Sequence, residues 1–169
     1  MLKLKVLVSG STGYIGIQLV KLLVKHKNIK IKYLCGNSSV GKKISHFDKS
    51  IKDNNLPKIT KFNIKYLKDV DIVFTALPNG ESQKIANYLL KNNLLIDLSA
   101  DFRLKNPNDY YKWYKLKHQA KHLIKKSIYS LPELKKDKII QHKIISSPGC
   151  YPTSILIPLA PLIKNNLIL

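Results

Sequence analysis

Leu4-Lys5-Val6-Leu7-Val8, followed after one residue by Gly10-Ser11-Thr12-Gly13-Tyr14-Ile15-Gly16, is the most telling stretch of the chain. The first five residues read as a short apolar strand. From Tyr14 to His26 the apolar positions Ile15, Leu19, Leu22 and Leu23 recur at the spacing of an amphipathic helix. Between them lies a Gly-x-x-Gly-x-x-Gly loop. Such a pattern is common by chance, but its place between a first strand and a first helix is informative. Glycines there let the backbone turn and approach a pyrophosphate, and the following helix offers unpaired N–H groups and a positive dipole end. The plainer alternative is a tight strand-to-helix turn without a ligand. The location favours a dinucleotide site built on Gly10, Ser11, Thr12, Gly13, Tyr14, Ile15 and Gly16.

Working outward, Ile29 to Cys35 reads as a second strand, and 37–57 as irregular, broken by Gly41 and Pro57. A weakly signalled strand follows over 59–66, and a buried strand over 71–76 ends at Pro78. A helix is expected over 81–92, strands over 94–98 and 143–146, and a helix over 151–164 despite its prolines. Strands alternating with helices imply βαβ units with right-handed crossovers. The expected fold is α/β, a Rossmann-like doubly wound and mostly parallel sheet.

The 169 residues suffice for one domain with a real core. With 44% hydrophobic and 24% charged residues, the chain is globular rather than disordered. No apolar run reaches the ~18–20 residues of a membrane span, and the N-terminus lacks the pattern of a signal peptide. Two distant cysteines form neither a disulfide framework nor a zinc pattern, which fits a reducing cytoplasm. The net charge of +20 raises nucleic-acid binding as a candidate. It is set aside because 29 of the 30 basic residues are Lys, scattered along the chain, whereas readers of bases and phosphates favour Arg. No metal site is expected: His118 and His122 share a helical spacing, but Gln119 stands where a metalloprotease has Glu, and no third ligand is evident. The aromatic stretch 109–114 reads as a surface loop packed on the core.

The end of the second strand bears on cofactor choice. An NAD site usually places an acidic residue there to bond the ribose 2′-hydroxyl. This chain has no acidic residue before Asp48. Ser38, Ser39, Lys42 and Lys43 suit a 2′-phosphate, so NADP is expected over NAD. Leu77 and Pro78, at another strand end, are placed on the nicotinamide side.

Cys150 follows a strand and Pro148-Gly149 and opens a helix. A thiol at a helix N-terminus is favoured as thiolate, and a sharp turn there can expose sulfur and backbone N–H groups together. This is a nucleophile pattern for attack on a carbonyl. Cys35, inside an apolar strand, reads as a buried and inert thiol. In Asp97-Leu98-Ser99-Ala100-Asp101-Phe102-Arg103, the one Arg of the chain stands near a strand's carboxyl end, where a guanidinium can hold a phosphate or carboxylate. The alternative is a structural ion pair between Arg103 and Asp101.

Taken together these segments resemble the N-terminal half of N-acetyl-gamma-glutamyl-phosphate reductase, over essentially the whole chain. The stretches 97–103 and 148–153 carry most of the specificity, supported by the glycine loop, Val73 to Pro78, Trp113-Tyr114, His118 and Leu131 to Leu134. Ser147 and Ser130 replace residues that are commonly Asn and Gly in that family. The resemblance implies NADPH-dependent conversion of N-acetylglutamyl phosphate to the semialdehyde through a thioester on Cys150. It assigns Arg103, Ser99 and Gly149 to the substrate. Residues 1–149 would be the NADP-binding domain, and 150–169 the start of a second, catalytic and dimerisation domain that supplies the acid/base His. A homo-oligomer, or completion by a C-terminal half, is expected, together with apolar surface on Ile155, Leu156, Leu159 and Leu162. The readings left beside it are aspartate-semialdehyde dehydrogenase, a carrier-bound aminoadipyl-phosphate reductase and a non-catalytic NADP-binding fragment.

Overall fold

The computed structural model describes residues 3–52, 55–139 and 141–168. Seven strands form one sheet: β1 (Leu4–Ser9), β2 (Ile29–Cys35), β3 (Ile59–Thr60), β4 (Ile72–Thr75), β5 (Leu94–Asp97), β6 (Ser127–Tyr129) and β7 (Ile144–Ser146). Their order is β3-β2-β1-β4-β5-β7-β6, and every pairing is parallel. Among the described residues six α-helices accompany them: α1 (Tyr14–Lys25), α2 (Glu81–Ala86), α3 (Pro107–Tyr114), α4 (Lys121–Ile124), α5 (Pro132–Ile139) and α6 (Cys150–Lys164). The sheet is the expected doubly wound, Rossmann-like one.

Val6, Leu7 and Val8 are all fully buried, so both faces of β1 are covered and β1 is central. One face packs Val6, Val8, Leu34 and Phe74 against Val20 and Leu23 of α1. The other packs Leu7, Val73, Leu95 and Ile144 with Ile85, Phe102 and Leu123. The chain runs outward from β1 to β2 and β3, then returns to β4 on the other side. This places the topological switch point between β1 and β4, where open parallel sheets bind ligands. One register step beyond the apolar rows, Cys35, Ser9, Thr75, Asp97 and Ser146 lie side by side across five strands. The sheet thus ends, on its carboxyl side, in a largely polar row.

Four expectations change. The strand expected over 59–66 is only Ile59–Thr60, because Asn63 accepts a bond from the Lys65 amide and opens a 3-10 turn over Ile64–Asp69. Helix α2 stops at Ala86 rather than 92. Buried Asn93 ties the following turns down, donating to the carbonyls of Leu67 and Val70 at 2.9 and 2.7 Å and accepting from the Leu90 amide. The aromatic stretch is a helix, not a loop: Asn106 caps α3 and Pro107 opens it. Only Tyr110 of its aromatics is fully buried, while Tyr111 and Trp113 are exposed. His118 lies ahead of α4, so it shares no helix face with His122. No group of metal-ligating side chains occurs among the described residues, nor a helix long and apolar enough to cross a membrane.

Candidate functional site

The glycine loop is held from below. The amides of Gly10 and Ser11 and the Ser11 hydroxyl all donate to the Cys35 carbonyl, at 3.0, 3.0 and 3.1 Å. Gly10 has φ +82°, and a Cβ there would lie 2.1 Å from the Ala76 carbonyl oxygen. A Cβ on Gly16 would lie 2.0 Å from the Gly10 oxygen. These two glycines are required by the fold alone. Gly13 differs. It has φ −73°, it is exposed, and a Cβ would meet only the Gly10 oxygen at an ordinary 3.6 Å. Nothing in the protein demands glycine there, whereas a close-lying phosphate would. Gly13 caps α1 without a side-chain bond, and the first turn carries no acidic group. The amides of Tyr14, Ile15 and Gly16 open the helix and have no carbonyl one turn back within it. The side chains of Tyr14 and Ile15 point into solvent.

A cleft of about 480 Å³ opens beside the switch point. Ser9, Asn37 and Leu77 contribute from three strand ends, Ile64 from the 3-10 turn, and Lys84 and Tyr88 from the segment that includes α2. Ser38 is exposed after β2, while Ser39 is buried and donates to the Thr12 hydroxyl at 3.3 Å. Lys42 and Lys43 are exposed, and among the described residues no carboxylate stands at the end of β2. Pro78 is exposed, and its carbonyl accepts the amide of Glu81. Asn63, Ile64 and Tyr88 were not evident as site residues from the sequence, because a 3-10 turn and a helix end bring them in from outside the strand ends.

The second half of the site forms where β5 and β7 end together. Cys150 is exposed, and it is the first residue of α6. The Ser147 amide donates to the Asp97 carbonyl at 2.8 Å. Arg103 closes the turn from the other side: its Nε donates to the Ser147 carbonyl at 3.0 Å, and Nη2 to the Leu98 carbonyl at 3.3 Å. Its Nη1 lies 3.2 Å from where a Gly149 side chain would begin, so a larger residue would crowd the guanidinium. At the helix start, the Thr153 amide and hydroxyl both bond the Gly149 carbonyl. Cys35 is 1% exposed, and burial pushes its thiol up to about 12, which makes it an inert core thiol.

The ion pair weighed between Arg103 and Asp101 is absent. Asp101 instead accepts the amides of Gly80 and Gln83, at 2.7 and 3.2 Å, capping α2, and takes the Tyr110 hydroxyl at 2.6 Å. The Ala120 amide donates to His118 Nδ1, which leaves Nε2 to donate to the Asp101 carbonyl at 2.8 Å. Burial holds the His118 ring below its ordinary range. Ser99 is 6% exposed and its hydroxyl donates to Asp97 at 2.6 Å. Asp97 also accepts Thr75, and burial raises its carboxyl above the usual range.

The family described as semialdehyde dehydrogenase, NAD binding domain, matches residues 5–142. A Clostridium novyi protein named N-acetyl-gamma-glutamyl-phosphate reductase is 45% identical over 98% of this chain and 49% of its own length. One of the same name from Clostridium botulinum is 42% identical, over 98% and 48%. The chain thus spans about half the length of the curated relatives it matches. Among solved structures, aspartate semialdehyde dehydrogenase II of Vibrio cholerae, complexed with ASA, has a TM-score of 0.65 at 18% identity, covering 97% of this chain and 43% of that one. The Candida albicans aspartate semialdehyde dehydrogenase with NADP has a TM-score of 0.63 at 20%, covering 95% and 47%. At those identities the likeness is one of fold. A matched family domain over most of the sequence, a doubly wound parallel sheet and a glycine loop at its switch point together place this chain in the semialdehyde dehydrogenase NAD-binding-domain family.

Proposed function

We propose that this chain is the cofactor-binding and nucleophile-bearing half of an N-acetyl-gamma-glutamyl-phosphate reductase. The observation that carries the reading is the meeting of Arg103 with the Gly149 turn, directly before exposed Cys150. Relatives bearing that name match the chain across 98% of its length. Residues 1–149 are read as the cofactor unit and 150–169 as the start of the second, catalytic and dimerisation unit. No residue of α6 is buried, and Ile155, Leu156 and Leu159 are exposed on it. That apolar surface suits a C-terminal half of the enzyme, or a second subunit, as its cover. The exposed and unpaired Cys150 suits a reducing, cytoplasmic setting.

In the proposed reaction the Cys150 thiolate attacks the acyl carbon of N-acetylglutamyl phosphate. The carbon–oxygen bond to phosphate breaks, phosphate leaves with the electron pair, and a thioester remains on Sγ. Arg103 faces the anion. Its guanidinium is already fixed by two carbonyls, so little order is lost on binding. The amides of Cys150 and Tyr151 begin α6 and offer donors to the developing oxyanion. Ser99, buried and bonded to Asp97, holds the loop rather than touching substrate. When bound, NADPH would supply a hydride to the acyl carbon; the carbon–sulfur bond then breaks, the electron pair returns to Cys150 Sγ as thiolate, and the semialdehyde leaves. Gly13 and the first amides of α1 would hold the cofactor's pyrophosphate, Leu77 and Pro78 would lie toward the nicotinamide, and Ser38 with Lys42 and Lys43 would meet the 2′-phosphate. Both ring nitrogens of His118 are engaged, so acid–base work is assigned to the C-terminal half.

Calorimetric titration with NADPH and NADH, beside phosphate-dependent reduction of NADP by N-acetylglutamate semialdehyde, tests the reading. NADPH is expected to bind at least about tenfold tighter, and any turnover is expected to vanish in Cys150→Ser. Equal affinity for the two cofactors would overturn the NADP assignment, and turnover retained in Cys150→Ser would overturn the nucleophile.

A further inference from the structure

A second cleft, of about 870 Å³, lies along β6, the edge strand of the sheet, and of the residues assigned to the proposed reaction it touches Arg103 alone among the described residues. Ser127, Ile128 and Tyr129 all line it. Successive residues of a strand point to opposite faces, so a cavity touching all three faces the strand's edge rather than one side of the sheet. The direction of the backbone groups follows from the ladder. The Ile144 amide bonds the Lys126 carbonyl and the Ser130 amide bonds the Ser146 carbonyl, so the even-numbered residues turn toward β7. In a parallel ladder the amides and carbonyls of Ser127 and Tyr129 then point outward, into the cleft. Around this edge stand Arg103, Lys105, Lys121 and Lys125, and no carboxylate lines the cleft among the described residues.

We propose that the β6 edge receives an extended acidic polypeptide segment, which adds to the sheet as an eighth strand and sets its carboxylates against Lys105, Lys121 and Lys125. Open strand edges template such pairing, main-chain bonds giving affinity and alternate side chains giving selectivity. The three lysines are exposed, so they are free to meet carboxylates. They also say what the occupant is not. Lysines beside an edge oppose pairing with another cationic strand, and a second copy of this chain would bring its own +20 to the contact. An acidic segment turns the same charges into attraction. The proposal does not rest on the reductase reading.

The probe is a fluorescein-labelled peptide, Glu-Ile-Glu-Val-Glu-Ile, titrated with the full chain and followed by fluorescence anisotropy. Its affinity is expected to fall at least about tenfold in the triple variant Lys105→Glu/Lys121→Glu/Lys125→Glu. It is expected to hold within about twofold in Lys27→Glu/Lys49→Glu/Lys61→Glu, which changes net charge equally at exposed positions away from the cleft. Tyr129→Pro removes an outward amide at an edge position, where proline is tolerated, and is expected to weaken the peptide as much as the cleft triple. Methylating alternate amide nitrogens of the peptide tests the main-chain bonds on the unaltered protein, and is expected to abolish binding. Absence of binding, equal loss in both triple variants, or undiminished binding of the methylated peptide would each overturn strand addition, the last two in favour of a diffuse attraction for polyanions.

Discussion

At the scale of single residues, the two kinds of glycine in the loop separate fold from ligand. Gly10→Ala forces a Cβ into the Ala76 carbonyl at a positive φ. It is expected to cost about 2–4 kcal/mol of stability, measurable by urea unfolding. Gly13→Ala keeps an allowed backbone and an ordinary contact. Its unfolding midpoint is expected to stay or rise, as Gly→Ala does at compatible sites, while NADPH affinity drops at least about tenfold. Loss of stability in Gly13→Ala, with affinity intact, would contradict the loop's assignment. The sequence made both glycines visible as a motif. It could not tell them apart, because the difference lies in the Ala76 carbonyl brought in by β4. His118 is a second residue whose role was hidden. It folds as a neutral ring bonded at both nitrogens. Below about pH 6.5 the unfolded chain takes up a proton that the folded ring resists, so stability falls as pH drops through that value until the lowered folded pKa is reached. Urea midpoints at pH 7 and pH 5.5 are expected to differ more for the unaltered chain than for His118→Gln. An equal difference would remove His118 from the acid-sensitive set.

At the scale of elements, the parallel order β5-β7 makes the site. Asp97 and Ser146 end neighbouring strands in register, so loops far apart in the chain leave the sheet side by side. The motif 97–103 and the motif 148–153 were each legible in the sequence. Their contact was not, because nothing local in either says that β7 lies next to β5 and that β6 is displaced to the edge. Arg103 then serves as a clamp between them, in place of the ion pair weighed for it. A lysine presents a single point charge in place of a planar fork. Arg103→Lys is therefore expected to raise amide hydrogen exchange across 147–151 at least about tenfold, with exchange in β5 unchanged. Unchanged exchange in the turn would show that the Ser147 amide bond to Asp97 suffices to hold it. The short elements β6, α4 and α5 escaped sequence reading because three to eight residues carry too little periodicity. The early end of α2 depended on buried Asn93, whose partners Leu67 and Val70 lie more than twenty residues away.

At the scale of the whole molecule, two opposed features govern behaviour. The net charge of +20 repels copies from one another, while α6 presents Ile155, Leu156, Ile157, Leu159 and Ile163 without burying any residue of its own. Screening weakens the first and leaves the second. Sedimentation is therefore expected to show self-association that strengthens with salt and is reduced in Ile155→Asp/Leu159→Asp. A monomer at all salt concentrations would mean that α6 does not drive association. The doubly wound order follows from strands and helices in alternation, which the sequence displays plainly through β1, α1 and β2. What covers α6 was not legible in the sequence, because none of its residues is buried against the rest of the chain. Whether Cys150 is the acyl-accepting nucleophile of a reductase half is tested by intact-protein mass spectrometry after exposure to N-acetylglutamyl phosphate without cofactor. One N-acetylglutamyl adduct, mapped to Cys150 and absent from Cys150→Ser, is expected. A folded chain that binds NADPH yet acquires no adduct, or acquires it elsewhere, would contradict that role for Cys150.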